Sequence, residues 1–300
     1  MNKKILIVSL SALLGIAGSS LVFANFSSQE KVVTEKLDLT KTTSTQNAYK
    51  KIATTNAEVQ KYTTIGNNYL TNLNITNKSF DSSNTKVEIY EDNIENQTEI
   101  IISDSNKQVK LNKDTGEVIS YIQKNTTFEK VNLKEETVKE KALELFNSIN
   151  GFSGYELFSL EQFDEQIYLA KFCKKYADLF NPGEMICIGF SPVASEIVTF
   201  SQKSIPYANN EVKLTIDDAR KVALPYLESS VATDMDITLE IVEPNYGLQP
   251  VLSEGKLYVK ANQTRLAYVC KFNNSAKTVV YIDCTTGEAI GIDYILGGEF

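Results

Sequence analysis

Apolar and polar positions change from helical to strand-like spacing three times along the chain, each time in the same order. The first helical stripe, Val59, Tyr62, Tyr69 and Leu73, follows Thr55 and Glu58, which have the spacing of a capping box. Strand-like runs are predicted next at Lys86–Tyr90, Glu99–Ile102 and Gln108–Leu111, closing with Asn112–Tyr121. The second stripe, Val138, Ala142, Leu145, Phe146 and Ile149, follows Asn132 and Glu135, again at capping-box spacing. It stops at Asn150-Gly151, as a helix C-terminus does. Strands are predicted after it at Glu156–Leu160, Gln166–Lys174, Glu184–Phe190 and Glu196–Phe200. The third stripe opens at Thr215 and Asp218 with Ile216, Ala219, Val222, Ala223 and Tyr226. Pro225 should end this helix early, because it lacks a backbone donor and clashes with the preceding turn. Its strands are predicted at Ile237–Val242, Lys256–Val259, Thr264–Phe272, Thr278–Asp283 and Glu288–Tyr294.

The turns carry the repetition further. Asn112, Gly116 and Glu117 match Asp283, Gly287 and Glu288 position for position, with Thr115 and Thr286 before the glycines. An Asn or Asp side chain accepts from backbone N–H groups just ahead of it, and Gly supplies the positive φ of the turn. The corresponding stretch of the second unit, Ser191 to Glu196, has Ser195 where the others have Gly. These signals predict an α+β protein of tandem small modules, each one helix packed on an antiparallel β-sheet. The expected boundaries are 55–130, 131–204 and 205–300, the first two divergent, after a polar tether at 25–54.

The third unit carries a resemblance. Thr215-Ile-Asp-Asp-Ala-Arg-Lys-Val-Ala223 opens it, Arg265-Leu-Ala-Tyr-Val-Cys-Lys-Phe272 is its central strand, and Val279-Val-Tyr-Ile-Asp-Cys-Thr-Thr-Gly-Glu-Ala-Ile290 closes it. In these segments the chain resembles tandem PepSY-type domains, as in YcdB/YcdC-type exported repeat proteins of Gram-positive bacteria. The first unit shares the closing part. The resemblance implies an extracytoplasmic module without catalytic residues, linked to inhibition or regulation of secreted proteases. It transfers no functional residue, because the shared motif is structural.

Charge and missing residue types narrow the chemistry. The formal charge is −8, from 30 basic and 38 acidic residues, and there is no His and no Trp. An acidic chain lacks the basic footprint that nucleic acid or an anionic membrane surface needs. Without His, Ser-His-Asp and Cys-His catalysis and imidazole metal sites are excluded. Lys3 and Lys4 precede an apolar run from Ile5 to Phe23, and Val22-Phe23-Ala24 fits a signal-peptidase site. Residues 1–24 therefore read as a signal peptide or an uncleaved N-terminal anchor, and the protein as extracellular or held in the cell envelope. Membrane contact is expected only through that segment.

Cys173 and Cys187 are 14 residues apart, as are Cys270 and Cys284, and each pair flanks a predicted hairpin. In an exported chain two local disulfides, Cys173–Cys187 and Cys270–Cys284, follow if the hairpins are symmetric. Four buried free thiols, or pairing between units, are the alternatives. The acidic clusters at Glu91-Asp92 with Glu95, Glu135-Glu136 with Glu140, and Asp217-Asp218 fit capping and helix-dipole roles. No catalytic, cofactor-binding or metal residue is assigned and no cofactor is expected. The functional expectation is a non-catalytic binding or regulatory protein of the envelope with a protein partner, a secreted peptidase being the candidate. A structural component of the envelope or spore coat is the alternative, and a carboxylate-based wall hydrolase the third.

Overall fold

The computed structural model describes residues 49–75, 79–81, 83–92, 97–226, 235–245, 262–272 and 278–294. The N-terminal segment 1–24, residues 25–48 of the expected tether, Glu95, the expected strand Lys256–Val259 and the hairpin loop Asn273–Lys277 lie outside the described residues.

Apolar residues spaced for strands dominate the chain, and they build a mostly β molecule. A nine-stranded antiparallel sheet has the order β1-β2-β3-β4-β5-β9-β8-β7-β6. Its strands are β1 (Tyr49–Ile52), β2 (Lys86–Asp92), β3 (Gln97–Ser103), β4 (Lys107–Asn112), β5 (Val118–Gln123), β6 (Tyr155–Gln162), β7 (Tyr168–Tyr176), β8 (Leu179–Ser191) and β9 (Glu196–Ser204). A second sheet is a four-stranded meander of β10 (Met235–Val242), β11 (Arg265–Phe272), β12 (Thr278–Asp283) and β13 (Ala289–Tyr294). Three short helices complete the described residues: α1 (Asn56–Asn72), α2 (Glu135–Ser148) and α3 (Ile216–Ala223).

The architecture corrects the expected string of helix-on-sheet modules. The closing strands of the first two expected units pair with each other: Ser120 faces Ser201, Tyr121 faces Phe200 and Ile122 faces Thr199. The edges that separate modules would leave open are joined, which removes unpaired backbone groups from the middle of the molecule. One continuous core follows. Phe146 of α2 stacks on Phe172 of β7 at 3.8 Å and 7°, and Tyr69 of α1 meets Phe200 of β9 edge-on at 5.8 Å. Tyr69 and Phe146 thus belong to the same apolar cluster as Ile89, Ile102, Val109 and Ile188. Burying both helices against one sheet removes more apolar area from water than two separate small cores would.

The segment expected to be a tether also departs from expectation at its end, where β1 pairs with β2 and Ile52 packs on the core. Helix starts are mixed. Thr55–Glu58 and Thr215–Asp218 form reciprocal capping boxes. Helix α2 instead starts after Lys134, which makes no side-chain cap bond, so Asn132 lies outside the helix. Pro225 acts as expected: α3 ends at Ala223 and passes into a short 3-10 turn, Leu224–Tyr226.

The second sheet buries Leu266, Tyr268, Cys270, Phe272, Val280, Ile282 and Cys284 on one face, under Ala219 and Ala223 of α3. It is fixed to the large sheet by several contacts. Thr264 and Tyr207 form a parallel bridge, Lys203 pairs with Glu243, and the rings of Tyr176 and Tyr207 lie 5.0 Å apart. At Gly183 an added Cβ would stand 2.3 Å from Thr264 Cγ2 and 2.7 Å from the Ile205 carbonyl oxygen, so only glycine allows this approach.

Side-chain amides fasten what the ladders leave open. Asn67 of α1 donates to the Phe80 carbonyl (3.1 Å) and accepts from the Phe80 N–H (2.5 Å). Asn210 does the same with the backbone of Leu266 (3.0 and 2.7 Å), and Asn245 with that of Ile292 (3.3 and 2.8 Å). Each amide bonds the N–H and the carbonyl of one backbone residue, satisfying a donor and an acceptor together.

Candidate functional site

The four cysteines are free and buried. Strand register explains why neither expected staple is present. Cys270 faces Val280, while Cys284 bonds back to the Leu266 carbonyl, four residues further along β11. That offset is about 14 Å at the rise of an antiparallel strand, twice the ~7 Å reach of a disulfide. Cys173 faces Met185 and Cys187 faces Lys171, so this pair is diagonal rather than opposed. The hairpin is not centred where equal spacing put it. The chain reverses at Ala177 and Asp178, with Ala177 at φ 52°, and β8 already begins at Leu179. Burial raises the thiol pKa values, Cys173 to about 12 and Cys187 and Cys270 to about 11, which leaves neutral, weakly nucleophilic groups.

The matched turns are structural. Asn112 Oδ1 accepts from the N–H groups of Asp114 (2.9 Å) and Thr115 (3.1 Å). Asp283 Oδ1 accepts from those of Thr285 (2.8 Å) and Thr286 (2.9 Å). Gly116 and Gly287 have φ of 73° and 76°, and the N–H groups of Glu117 and Glu288 donate to Thr115 and Thr286 hydroxyls. A bulge follows each turn, where Ile119 of β5 and Ile290 of β13 are left without a partner across the ladder. Asp283 differs from Asn112 in being fully buried, and it pairs with Arg265. Burial raises its pKa, but Arg265 and the Thr286 and Thr285 N–H groups outweigh that and hold it low.

The acidic clusters disperse into structural pairs. Glu91 pairs with Lys50, Asp217 with Arg220, and Asp218 caps α3. Glu135 and Glu136 lie in the first turn of α2.

What the sequence reading missed is an open cleft of about 490 Å³ at one end of the first four-stranded run. It lies between the β3–β4 loop, the segment after β5 and the segment after α1, and every residue lining it is polar. Its floor is Lys107, whose side chain is 6% exposed. The Lys107 ammonium pairs with Asp104 and lies 4.6 Å from the centre of the Phe80 ring, which Asn67 holds in place. Asp104 also accepts from the N–H groups of Asn106 (2.7 Å) and Lys107 (2.8 Å). Burial pushes its pKa up, but Lys107 and those N–H groups bring it below the usual carboxylate range. On the other wall, Lys124 N–H donates to the Asn106 carbonyl (2.6 Å) and Asn125 Nδ2 to the Ser105 carbonyl (3.0 Å). Asn125 holds φ at 56°, a left-handed conformation that few non-glycine residues adopt. The loops are thus locked together, and the polar groups facing the cleft are preset. The signal in the sequence is two short polar runs, Ser103–Lys107 and Gln123–Thr126, which read alone as ordinary turns.

Among the described residues there is no group of three or more His, Cys, Asp or Glu arranged to hold a metal ion. No described helix is long and apolar enough to cross a membrane.

No protein-family profile matches the chain, and no curated protein is similar to it in sequence. Among solved structures it is similar to the Bacillus megaterium YpeB C-terminal domain, at 12% identity and a TM-score of 0.42. The match covers 80% of this chain and 97% of that one.

Proposed function

We propose that the chain is an exported, non-catalytic binding or regulatory protein of the cell envelope that acts on a protein partner, with a secreted peptidase as the first candidate. The observation that carries this reading is the ionisation pattern. The carboxylates of Asp81, Glu88, Asp104, Glu184, Asp218 and Asp283 are all shifted downward by their partners, and the thiols are shifted upward by burial. General acids need raised carboxyl pKa values and nucleophilic thiols need lowered ones, so these groups are set for holding structure. The N-terminal signal-like segment and the PepSY-like segments of the third unit support export and a regulatory role. In this reading the membrane is touched only through the N-terminal segment, where that segment is retained.

The test is to incubate the protein with a panel of secreted and envelope peptidases and measure both residual activity and binding. Saturable binding with a change in activity is expected for at least one of them. No binding across the panel defeats the peptidase assignment. A second reading, assembly into an envelope structure, draws on the outer edges of β1 and β6, the two ends of the large sheet among the described residues. Sedimentation at micromolar concentration separates the two: a strict monomer rules assembly out.

A further inference from the structure

The cleft beside Lys107 is preformed and lined by polar residues, with carbon stretches of those side chains exposed between the polar groups. Asp104 and Lys107 satisfy each other on the floor. Lys124 is different. Its ammonium has one long bond, 3.4 Å to the Asp104 carbonyl oxygen, and no carboxylate within ion-pairing distance among the described residues. It is half-buried, and desolvation lowers its pKa against the opposing pull of Asp104. A half-buried ammonium with unused donors is best satisfied by an oxygen anion entering the cleft.

The rest of the lining sets what must accompany that anion. Asn84 and Asn106 supply amides, and Ser79 and Thr126 supply hydroxyls, while Gln123 is buried and accepts from the Tyr121 hydroxyl. Asp81 stands exposed on the opposite wall, its carboxylate accepting from the Ser83 N–H (3.0 Å) and hydroxyl (2.8 Å). An apolar occupant would leave these groups desolvated and unpaired, at about 1–3 kcal/mol each. A ligand covered with hydroxyl groups donates to Asp81 and exchanges hydrogen bonds with the amides.

We propose that this cleft binds a polyhydroxylated anion, a sugar or polyol carrying a carboxylate or a phosphate, with the Lys124 ammonium on the charged group and Asp81, Asn84 and Asn106 on the hydroxyls. A cavity of this size accommodates one or two sugar units. The ligand is distinct from the protein partner above, and the two can fail separately.

The experiment is isothermal titration of the full chain with three probes of equal length: galacturonic acid oligomers, glycerol phosphate oligomers and neutral galactose oligomers. The first two distinguish a carboxylate from a phosphate source. The expected result is binding of at least one charged probe about tenfold or more above the neutral one, weakened by salt. Lys124→Gln should lose about tenfold with an unchanged thermal midpoint, and Asn106→Ala should weaken binding without abolishing it. Lys175→Gln, far along β7 and paired with Glu156, should bind like the parent. Equal affinity for the neutral probe, unaltered binding by Lys124→Gln, or no binding of any probe would each overturn the proposal.

Discussion

Ser195 holds φ at 51° in the turn where the two matching turns have glycine. A side chain in that conformation costs about 1–2 kcal/mol, and glycine costs about 0.5–1 kcal/mol in unfolded-chain entropy. Ser195→Gly should therefore stabilise the protein by about 0.5–1 kcal/mol in chemical denaturation. Gly287→Ala should cost more than about 1 kcal/mol, since its Cβ would also press on Leu214 Cδ2 at 3.1 Å. The two turns at Asn112 and Asp283 were legible because a turn needs only neighbouring residues, and both the Asx acceptor and the Gly are adjacent to the bonds they make. The cysteines were not legible in the same way, because pairing depends on a register that a bulge and the position of the Ala177 reversal decide. The thiols make a second prediction at this scale. The pKa values of Cys173, Cys187 and Cys270 rise on folding from an ordinary 9.0 to about 11–12 and burial raises that of Cys284 as well, so the unfolded chain releases these protons first. The thiol contribution to stability is complete below pH 9 and should be lost as pH climbs from there to 12. A denaturation series across that range checks it: a variant with all four cysteines replaced by alanine should fall less steeply, the remaining slope coming from tyrosines such as Tyr69, Tyr121 and Tyr281, which burial also raises.

Elements in this protein are held at their ends by single polar side chains. Asn210 bonds both backbone groups of Leu266, and its Nδ2 also reaches Thr285 Oγ1 at 3.2 Å. Asn210→Ala should cost about 1–3 kcal/mol, because the Leu266 N–H loses its acceptor, while the Leu266 carbonyl keeps the Cys284 N–H. Asn210→Asp keeps the shape and the acceptor but loses the donors, so it should fall between the two in urea midpoint. Gly183→Ala drives a methyl group into Thr264 and the Ile205 carbonyl and should cost about 1–3 kcal/mol. Limited proteolysis should then cut first between β9 and α3, where the two sheets part. Helix positions were legible from their periodicity, and two of the three N-termini from capping boxes. The start of α2 was not, because nothing at Lys134 makes a cap bond and packing of Val138, Ala142 and Phe146 alone fixes the helix. Strand β8 outran its expected start at Glu184 because Pro182 and Gly183 read as a break, whereas here they lie within the strand beside the second sheet.

Across the whole molecule the carboxylates set the acid limit. The ammonium groups of Lys51 and Lys86 hold Glu88 down to about 2 from an ordinary 4.5, and Asp104, Glu184 and Asp283 are also lowered by their partners. Groups depressed on folding stabilise the protein above their unfolded pKa, so stability should be full above pH 4.5 and decline as pH falls towards 2. Thermal midpoints measured through that window check the sign, and an increase on acidification would contradict it. The merging of the first two units into one sheet was the least legible feature. It rests on β5 and β9, and nothing in either strand names a partner about 80 residues away. A hint lay in β5 itself, since Tyr121 and Ile122 are successive apolar residues buried on opposite faces, as in a strand with cover on both sides. The cleft stayed hidden for the same reason, because three polar loops become a site only when the strands between them are aligned. That seam also has a consequence in time. At roughly 5–20 residues per second a growing chain needs about 4–16 s to pass from Tyr121 to Phe200. Throughout that interval β5 has one unfilled side, and the half-made protein displays an adhesive strand that the finished one hides in its centre. A chaperone that shields strands should be needed for those seconds and no longer.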